Sequence, residues 1–160
     1  MDFIDSDAVI RTEAGMSIKK LCETHGEQHF KELEAKVIAR ALAQGPAVLA
    51  TGSDSFIHDE TRSLIHDKAV SIWLKADADV IMRRHQGRSG RRLLQNPDPQ
   101  ATVTRLISEL EPVYQTADLT IASADVSRND QVNECVLALH AHLRGGEEAA
   151  RPPTIVEAAE

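Results

Sequence analysis

Short apolar runs alternate along the chain with stretches in which apolar residues recur every three to four positions. That alternation predicts βαβ units around a mostly parallel sheet. Four strands are expected: one ending at Phe3 and Ile4, then Ala47 to Thr51, Val70 to Lys75, and Leu119 to Ser123. Their near-continuous apolar character predicts strands covered on both faces.

Helices fill the intervals. Phe30, Leu33, Val37, Ile38, Ala41 and Leu42 keep the 3.6 period, and Gly45 and Pro46 stop that helix before the second strand. Val103, Leu106, Ile107 and Leu110 make another stripe, entered through Asp98 as N-cap with Pro99 at the first helical position. Val132, Cys135, Val136, Leu139 and Leu143 make the last, expected to end at Gly145 and Gly146. Shorter helices are expected over Ser6 to Ala14, Ser17 to His25, Asp59 to Asp67 and Asp77 to His85. Residues 145–160 carry two prolines and charge without period, and read as a disordered acidic tail on a domain of residues 1–144.

At 160 residues one domain is the default. The formal net charge is −7, so the field repels phosphodiester backbones and anionic headgroups, which argues against nucleic-acid and membrane-surface roles. No apolar stretch has the length of a spanning helix or the layout of a signal peptide, so a soluble cytoplasmic protein is expected. Cys22 and Cys135 stand far apart on apolar helix faces and read as buried, reduced thiols.

Three segments carry candidate chemistry. Asp5-Ser6-Asp7 follows the first strand, at the end where open α/β sheets bind ligands; the bland reading is that Ser6 or Asp7 caps the next helix. Thr51-Gly52-Ser53-Asp54 follows the second strand at the corresponding edge, where Gly52 allows a tight turn or a close backbone approach. Arg83, Arg84, Arg88, Arg91 and Arg92 gather five guanidinium groups around two glycines, suited to gripping phosphates or simply to solvent. The seven histidines show no metal-ligand spacing and read as surface or packing residues.

In combination these segments resemble the shikimate kinases, a branch of the nucleoside monophosphate kinase-like P-loop proteins. The resemblance runs from about Phe3 to Leu143 and rests on FIDSDAVI, HGEQHFKELEAKVI, VLATGSDS, SIWLKADADVIMRR, GRRLL and ELEPVYQTADLTI. It implies a three-layer α/β fold with a parallel sheet of the P-loop kinase type. It further implies transfer of the ATP γ-phosphoryl group to a hydroxyl of shikimate with Mg²⁺, on the route to aromatic amino acids. By the same resemblance Asp5 is the acidic residue that holds Mg²⁺ through water. Asp7 is the carboxylate that binds shikimate's hydroxyls and takes the proton from the attacking one, the positioning task central to phosphoryl transfer. Glu34 supports the substrate-binding cation, Lys31 takes the place of one carboxylate-binding arginine, Gly52 belongs to the glycine turn, and Arg84 and Arg91 are the nucleotide-side arginines of the lid.

The departures are equally specific. No G-x-x-x-x-G-K-[ST] occurs in the 160 residues, and the family's first strand, P-loop and first helix have no counterpart here. Lys31 and Leu110 stand where two arginines hold shikimate's carboxylate, Ser53 and Asp54 replace two turn glycines, and Arg92 replaces the lid proline. These changes predict a shikimate kinase-like protein impaired toward shikimate. The alternatives are a working kinase whose N-terminus is missing from this chain, and a ligand-sensing or partner-binding module that uses the old pocket for a different small molecule; the expected ligand is shikimate or another small anionic molecule. In the family, the strand that feeds the P-loop lies between the counterparts of Ala47–Thr51 and Val70–Lys75. These two strands are therefore expected either to pair directly or to recruit a strand from another copy or a partner.

Overall fold

The computed structural model describes residues 1–52, 54–85, 97–123 and 126–149. Strand β1 (Asp2–Asp5) runs into helix α1 (Ser6–Ala14), followed by α2 (Ile18–His25) and α3 (Glu27–Ala43). Then come β2 (Ala47–Ala50), α4 (Asp59–Lys68), β3 (Ile72–Lys75), α5 (Ala78–His85), α6 (Pro99–Tyr114), β4 (Leu119–Ala122) and α7 (Arg128–Ala149). The order is the predicted α/β alternation, and each strand falls within two residues of its expected place.

Local chemistry sets these boundaries. Asp5 Oδ1 accepts from the Ala8 N–H at 3.0 Å and so caps α1. The helix ends at Gly15, whose φ of +62° lies in the left-handed region that a side chain penalises. Ser17 caps α2 through the Lys20 N–H at 3.3 Å. Asp98 caps α6 through the Ala101 N–H at 2.9 Å, with Pro99 in the first turn where its missing donor costs nothing.

The strands form two parallel pairs. β1 pairs with β2 in the register Phe3↔Val48 and Asp5↔Ala50, and β3 pairs with β4 in the register Ile72↔Leu119 and Leu74↔Ile121. β2 and β3 do not pair with each other, so direct closure between them is not the solution this chain adopts. What joins the two pairs is the helical layer on one face. Ile38, Phe56 and Ile65 are buried together with Leu49, Val113, Tyr114 and Ala117 against them. Tyr114 stacks on Phe56 and on Trp73, with ring centroids 6.0 and 5.7 Å apart. A second cluster, Ile10, Leu21 and Val37, fastens α1 and α2 to α3.

Four expectations need correction. The strands are not covered on both faces: Leu49 and Trp73 point into the helical layer, while Phe3, Val48, Ile72 and Leu74 on the opposite face stay exposed. The apolar stripe of α7 is likewise half open, since the helix packs on β4 alone among its stronger neighbours and Val132, Val136 and Leu143 remain exposed. Finally, α7 does not stop at Gly145 and Gly146 but continues to Ala149. A glycine inside a helix costs only about 1 kcal/mol, and the good helix formers Glu147, Glu148 and Ala149 follow; the rest of the expected tail, 150–160, lies outside the described residues. Cys22 and Cys135 are both free, as expected, but half-buried rather than buried. No helix among the described residues is long and apolar enough to cross a membrane.

Candidate functional site

The ends of β1 and β2 lie side by side, because Asp5 and Ala50 are register partners. Everything that follows each strand therefore meets at one place. Asp7 sits in the first turn of α1, Gly52 follows β2, and α3 brings Glu34 up from below. Glu34 is 2% exposed, a charged side chain almost wholly inside. A Cβ built on Gly52 would lie 2.6 Å from Glu34 Oε1, 3.5 Å from Asp7 Oδ1 and 3.6 Å from Ser55 Oγ. Gly52 is thus the close backbone approach that the sequence allowed for, and the group that approaches is the Glu34 carboxyl.

The electrostatics of this corner follow from burial and like charge. Burial raises the Glu34 carboxyl above its ordinary pKa, with the Asp7 and Asp54 carboxylates adding to the shift and the Ser55 hydroxyl and His58 opposing it. Burial, then Asp5, raise Asp7 in the same direction, against the pull of Arg11. Among the described residues Glu34 Oε1 and the hydroxyls of Ser55 and Ser6 are buried without a hydrogen-bond partner. A buried polar atom left unpaired costs about 1–3 kcal/mol, so this corner is held ready for a donor.

The remaining predicted residues fall at different distances from this cluster. Lys31 lies three residues before Glu34 on the same face of α3, half-buried. Asp5 borders the cluster but gives one carboxylate oxygen to the α1 cap, so the capping role foreseen for Ser6 or Asp7 belongs to Asp5. Arg84 stands on α5, where Nη1 donates to Ser123 Oγ at 2.9 Å at the end of β4. Ser53, Arg88, Arg91 and Arg92 lie outside the described residues. Leu110 is in the last turns of α6, half-buried. Among the described residues no group of three or more His, Cys, Asp or Glu is placed to hold a metal ion.

Sequence reasoning missed Ser55 and His58. Ser55 N–H donates to the Gly52 carbonyl at 3.2 Å, which folds the turn back onto Glu34, and nearby His58 Nε2 is buried without a partner among the described residues. The turn between Thr51 and Asp59 has no period to read; the only signal was a serine three residues beyond a glycine. A second polar joint was also unforeseen. Asp118 Oδ2 accepts from Ser71 N–H at 2.7 Å and Ser71 Oγ–H at 2.6 Å. Burial alone would raise its carboxyl, but those two bonds, together with His66 and His142, outweigh it and hold the pKa down. Lys75 pairs with Glu111 between β3 and α6.

Comparison with known proteins fits this arrangement. The shikimate kinase family matches residues 1–140. The shikimate kinase of Bradyrhizobium diazoefficiens is 57% identical over 159 residues, covering 99% of this chain and 76% of that protein. That of Nitrobacter winogradskyi is 54% identical over 147 residues, covering 92% and 69%. Among solved structures, the shikimate kinase of Acinetobacter baumannii in complex with shikimate superposes with a TM-score of 0.80 at 23% identity, covering 88% of this chain and 79% of the other. The Aquifex aeolicus enzyme superposes at 0.78 and 23%, covering 91% and 84%. At that identity the structures establish the fold, and the match across nearly the whole chain at more than half identity establishes descent: this chain belongs to the shikimate kinase family.

Proposed function

We propose that this chain retains the acceptor corner of a shikimate kinase but that its 160 residues alone do not phosphorylate shikimate. The observation that carries the reading is the charge of the corner. Asp7 and Glu34 converge on Gly52, with Asp54 near enough to act on Glu34; among the described residues Arg11 acts on Asp7, α3 carries Lys31 three residues before Glu34, and α6 offers Leu110 in place of a guanidinium. An anionic acceptor meets carboxylates where a bidentate fork is needed. Charge-assisted hydrogen bonds are worth about 1.5–3 kcal/mol each, so the loss amounts to roughly two to four powers of ten in affinity. Shikimate or another small anion therefore binds weakly.

Asp7 keeps the chemistry of a general base. Its raised pKa moves it toward the range where a carboxylate takes a hydroxyl proton efficiently, and the strand-to-helix turn after β1 fixes its position. Mg²⁺ suits Asp5 as an outer ligand, because the ion keeps most of its waters and needs one or two carboxylates beside substrate phosphates. ATP fits the chain's own residues poorly. No phosphate-cradling G-x-x-x-x-G-K-[ST] is present in the 160 residues, and the Arg84 guanidinium already bonds Ser123. The setting proposed is the cytoplasm.

A second reading, an active shikimate kinase, is favoured by the 57% identity across 99% of the chain and by the retained Asp7–Glu34–Gly52 convergence. A coupled assay of ADP release with shikimate and Mg·ATP separates the two. The proposal expects no turnover above the no-protein background, and turnover by the 160-residue chain would establish the second reading instead.

A further inference from the structure

We infer that the three oxygens facing Gly52 form a seat for the primary ammonium group of a small hydroxylated amine, so that this corner selects a cationic ligand over an anionic one. The inference rests on the reading above that the corner is kept but no longer suits an anion, and it names the class of ligand that does suit it.

The seat is a space that a side chain would fill. The point that a Cβ on Gly52 would occupy is faced by Glu34 Oε1 at 2.6 Å, Asp7 Oδ1 at 3.5 Å and Ser55 Oγ at 3.6 Å. The three oxygens come from α3, from the first turn of α1 and from the turn after β2, and the pairing of β1 with β2 brings them together. Any other residue at position 52 would close the space, whereas glycine leaves it to a ligand atom seated just beyond that point. Its floor is built from buried groups. Glu34 is 2% exposed and Ser55 1%, and among the described residues neither Glu34 Oε1 nor Ser55 Oγ has a hydrogen-bond partner. Buried polar atoms are normally paired, so two that face one opening call for a donor from outside.

Charge decides which donor. Glu34 and Asp7 are both carboxylates, Asp54 lies near enough to act on Glu34, and Asp5 near enough to act on Asp7. Against these four, among the described residues, Arg11 acts on Asp7 and His58 on Glu34. A hydroxyl brings one donor and no charge, while an ammonium brings three N–H donors and a positive charge, one N–H for each oxygen. Its hydrogen bonds to carboxylates are also roughly twice as strong as neutral ones. A planar guanidinium fork matches a single carboxylate better than three oxygens facing one point, and among the described residues no group of three or more His, Cys, Asp or Glu is placed to hold a metal ion. The rest of the ligand leaves past Asp7, which is half-buried, and Asp54, which is exposed. Hydroxyl groups beside the ammonium therefore meet carboxylate acceptors.

The probe is cis-3-aminocyclohexanol, titrated into the 160-residue chain and followed through the amide resonances of Gly52 and Ser55. Three comparison compounds are cis-1,3-cyclohexanediol, with a hydroxyl in place of the ammonium, shikimate, and the N,N,N-trimethyl derivative of the probe, which keeps the charge but has no N–H. The primary amine should bind at least about tenfold more tightly than each of the three. Glu34→Gln keeps the shape and removes the charge, and should weaken amine binding at least about tenfold with circular dichroism unchanged. Ser55→Ala should weaken it several-fold, and Lys19→Ala, far out on α2, should leave it as it was. Absence of saturable amine binding to the folded chain overturns the inference. So do equal affinities for amine and diol, a trimethylated compound that binds as well as the primary amine, or a folded Glu34→Gln chain of unchanged affinity. The outcome is separable from the activity assay: no amine binding with no turnover of shikimate refutes this inference alone, whereas turnover of shikimate refutes the reading on which it rests.

Discussion

The two faces of β2 and β3 are nearly indistinguishable in sequence and opposite in environment. Leu49 and Trp73 pack into the layer built by α3, α4 and α6, whereas their neighbours Val48 and Leu74, just as apolar, face outward. Apolar character in a parallel strand reports what the fold is able to bury; what it does bury depends on whether a helix lies over that face. The covered face thus carries the stability of this chain, and the open one adds little to it.

The largest expected effect tests that division directly. Ile38→Ala, at a fully buried position of the covered side, should cost about 2–5 kcal/mol in urea unfolding. Leu74→Ala on the open face should stay within about 0.5–1 kcal/mol. Equal losses would mean that the two faces are equally packed.

Next comes the acidic corner. Gly52→Ala places a methyl group against Glu34 Oε1 and should destabilise by about 1–3 kcal/mol. Combined with Glu34→Ala, most of that loss should vanish in a double-mutant cycle. Additive losses would show that the clash lies elsewhere.

Asp118→Ala removes the acceptor for Ser71 N–H and Oγ–H and should cost about 1–2 kcal/mol at neutral pH. Because the folded pKa of Asp118 is held below its ordinary value, its contribution is present above the unfolded carboxyl's range and is lost as pH falls through the folded value. The cost of the substitution should therefore shrink at acid pH. Glu34 behaves in the opposite sense. Its folded pKa is raised, so the stability it contributes is full below the unfolded value of about 4.3 and is lost as pH rises through the folded one. Glu34→Gln should gain stability relative to the parent at pH 7 and gain none near pH 3, as pH-dependent thermal unfolding will show. The smallest effect belongs to the surface: Lys19→Ala breaks an exposed 3.8 Å pair with Glu23 and should change stability by no more than about 0.5 kcal/mol.

Much of this was legible in the residues, for identifiable reasons. Apolar periodicity with strong caps placed β2, β3, β4 and α6 closely, because Gly45-Pro46 and Asp98-Pro99 are backbone signals that tertiary packing rarely overrides. The convergence of Asp7, Glu34 and Gly52 was legible only through family resemblance, since it depends on a register between β1 and β2 that spans 45 residues of sequence. Ser55 and His58 were illegible because an irregular turn carries no period. The open face and the course of α7 through Gly145 and Gly146 were misread for a shared reason: a local pattern cannot report which neighbours a surface meets or whether a helix tolerates a weak former.

The direct measurement of the division between faces is residue-resolved hydrogen exchange on the free 160-residue chain. The buried amides of α3 around Val37 and Ile38 should exchange only through global unfolding, while alternate amides of β2 and β3, those that point away from β1 and β4, should exchange orders of magnitude faster. Uniform protection along both strands in a monomer would contradict the account.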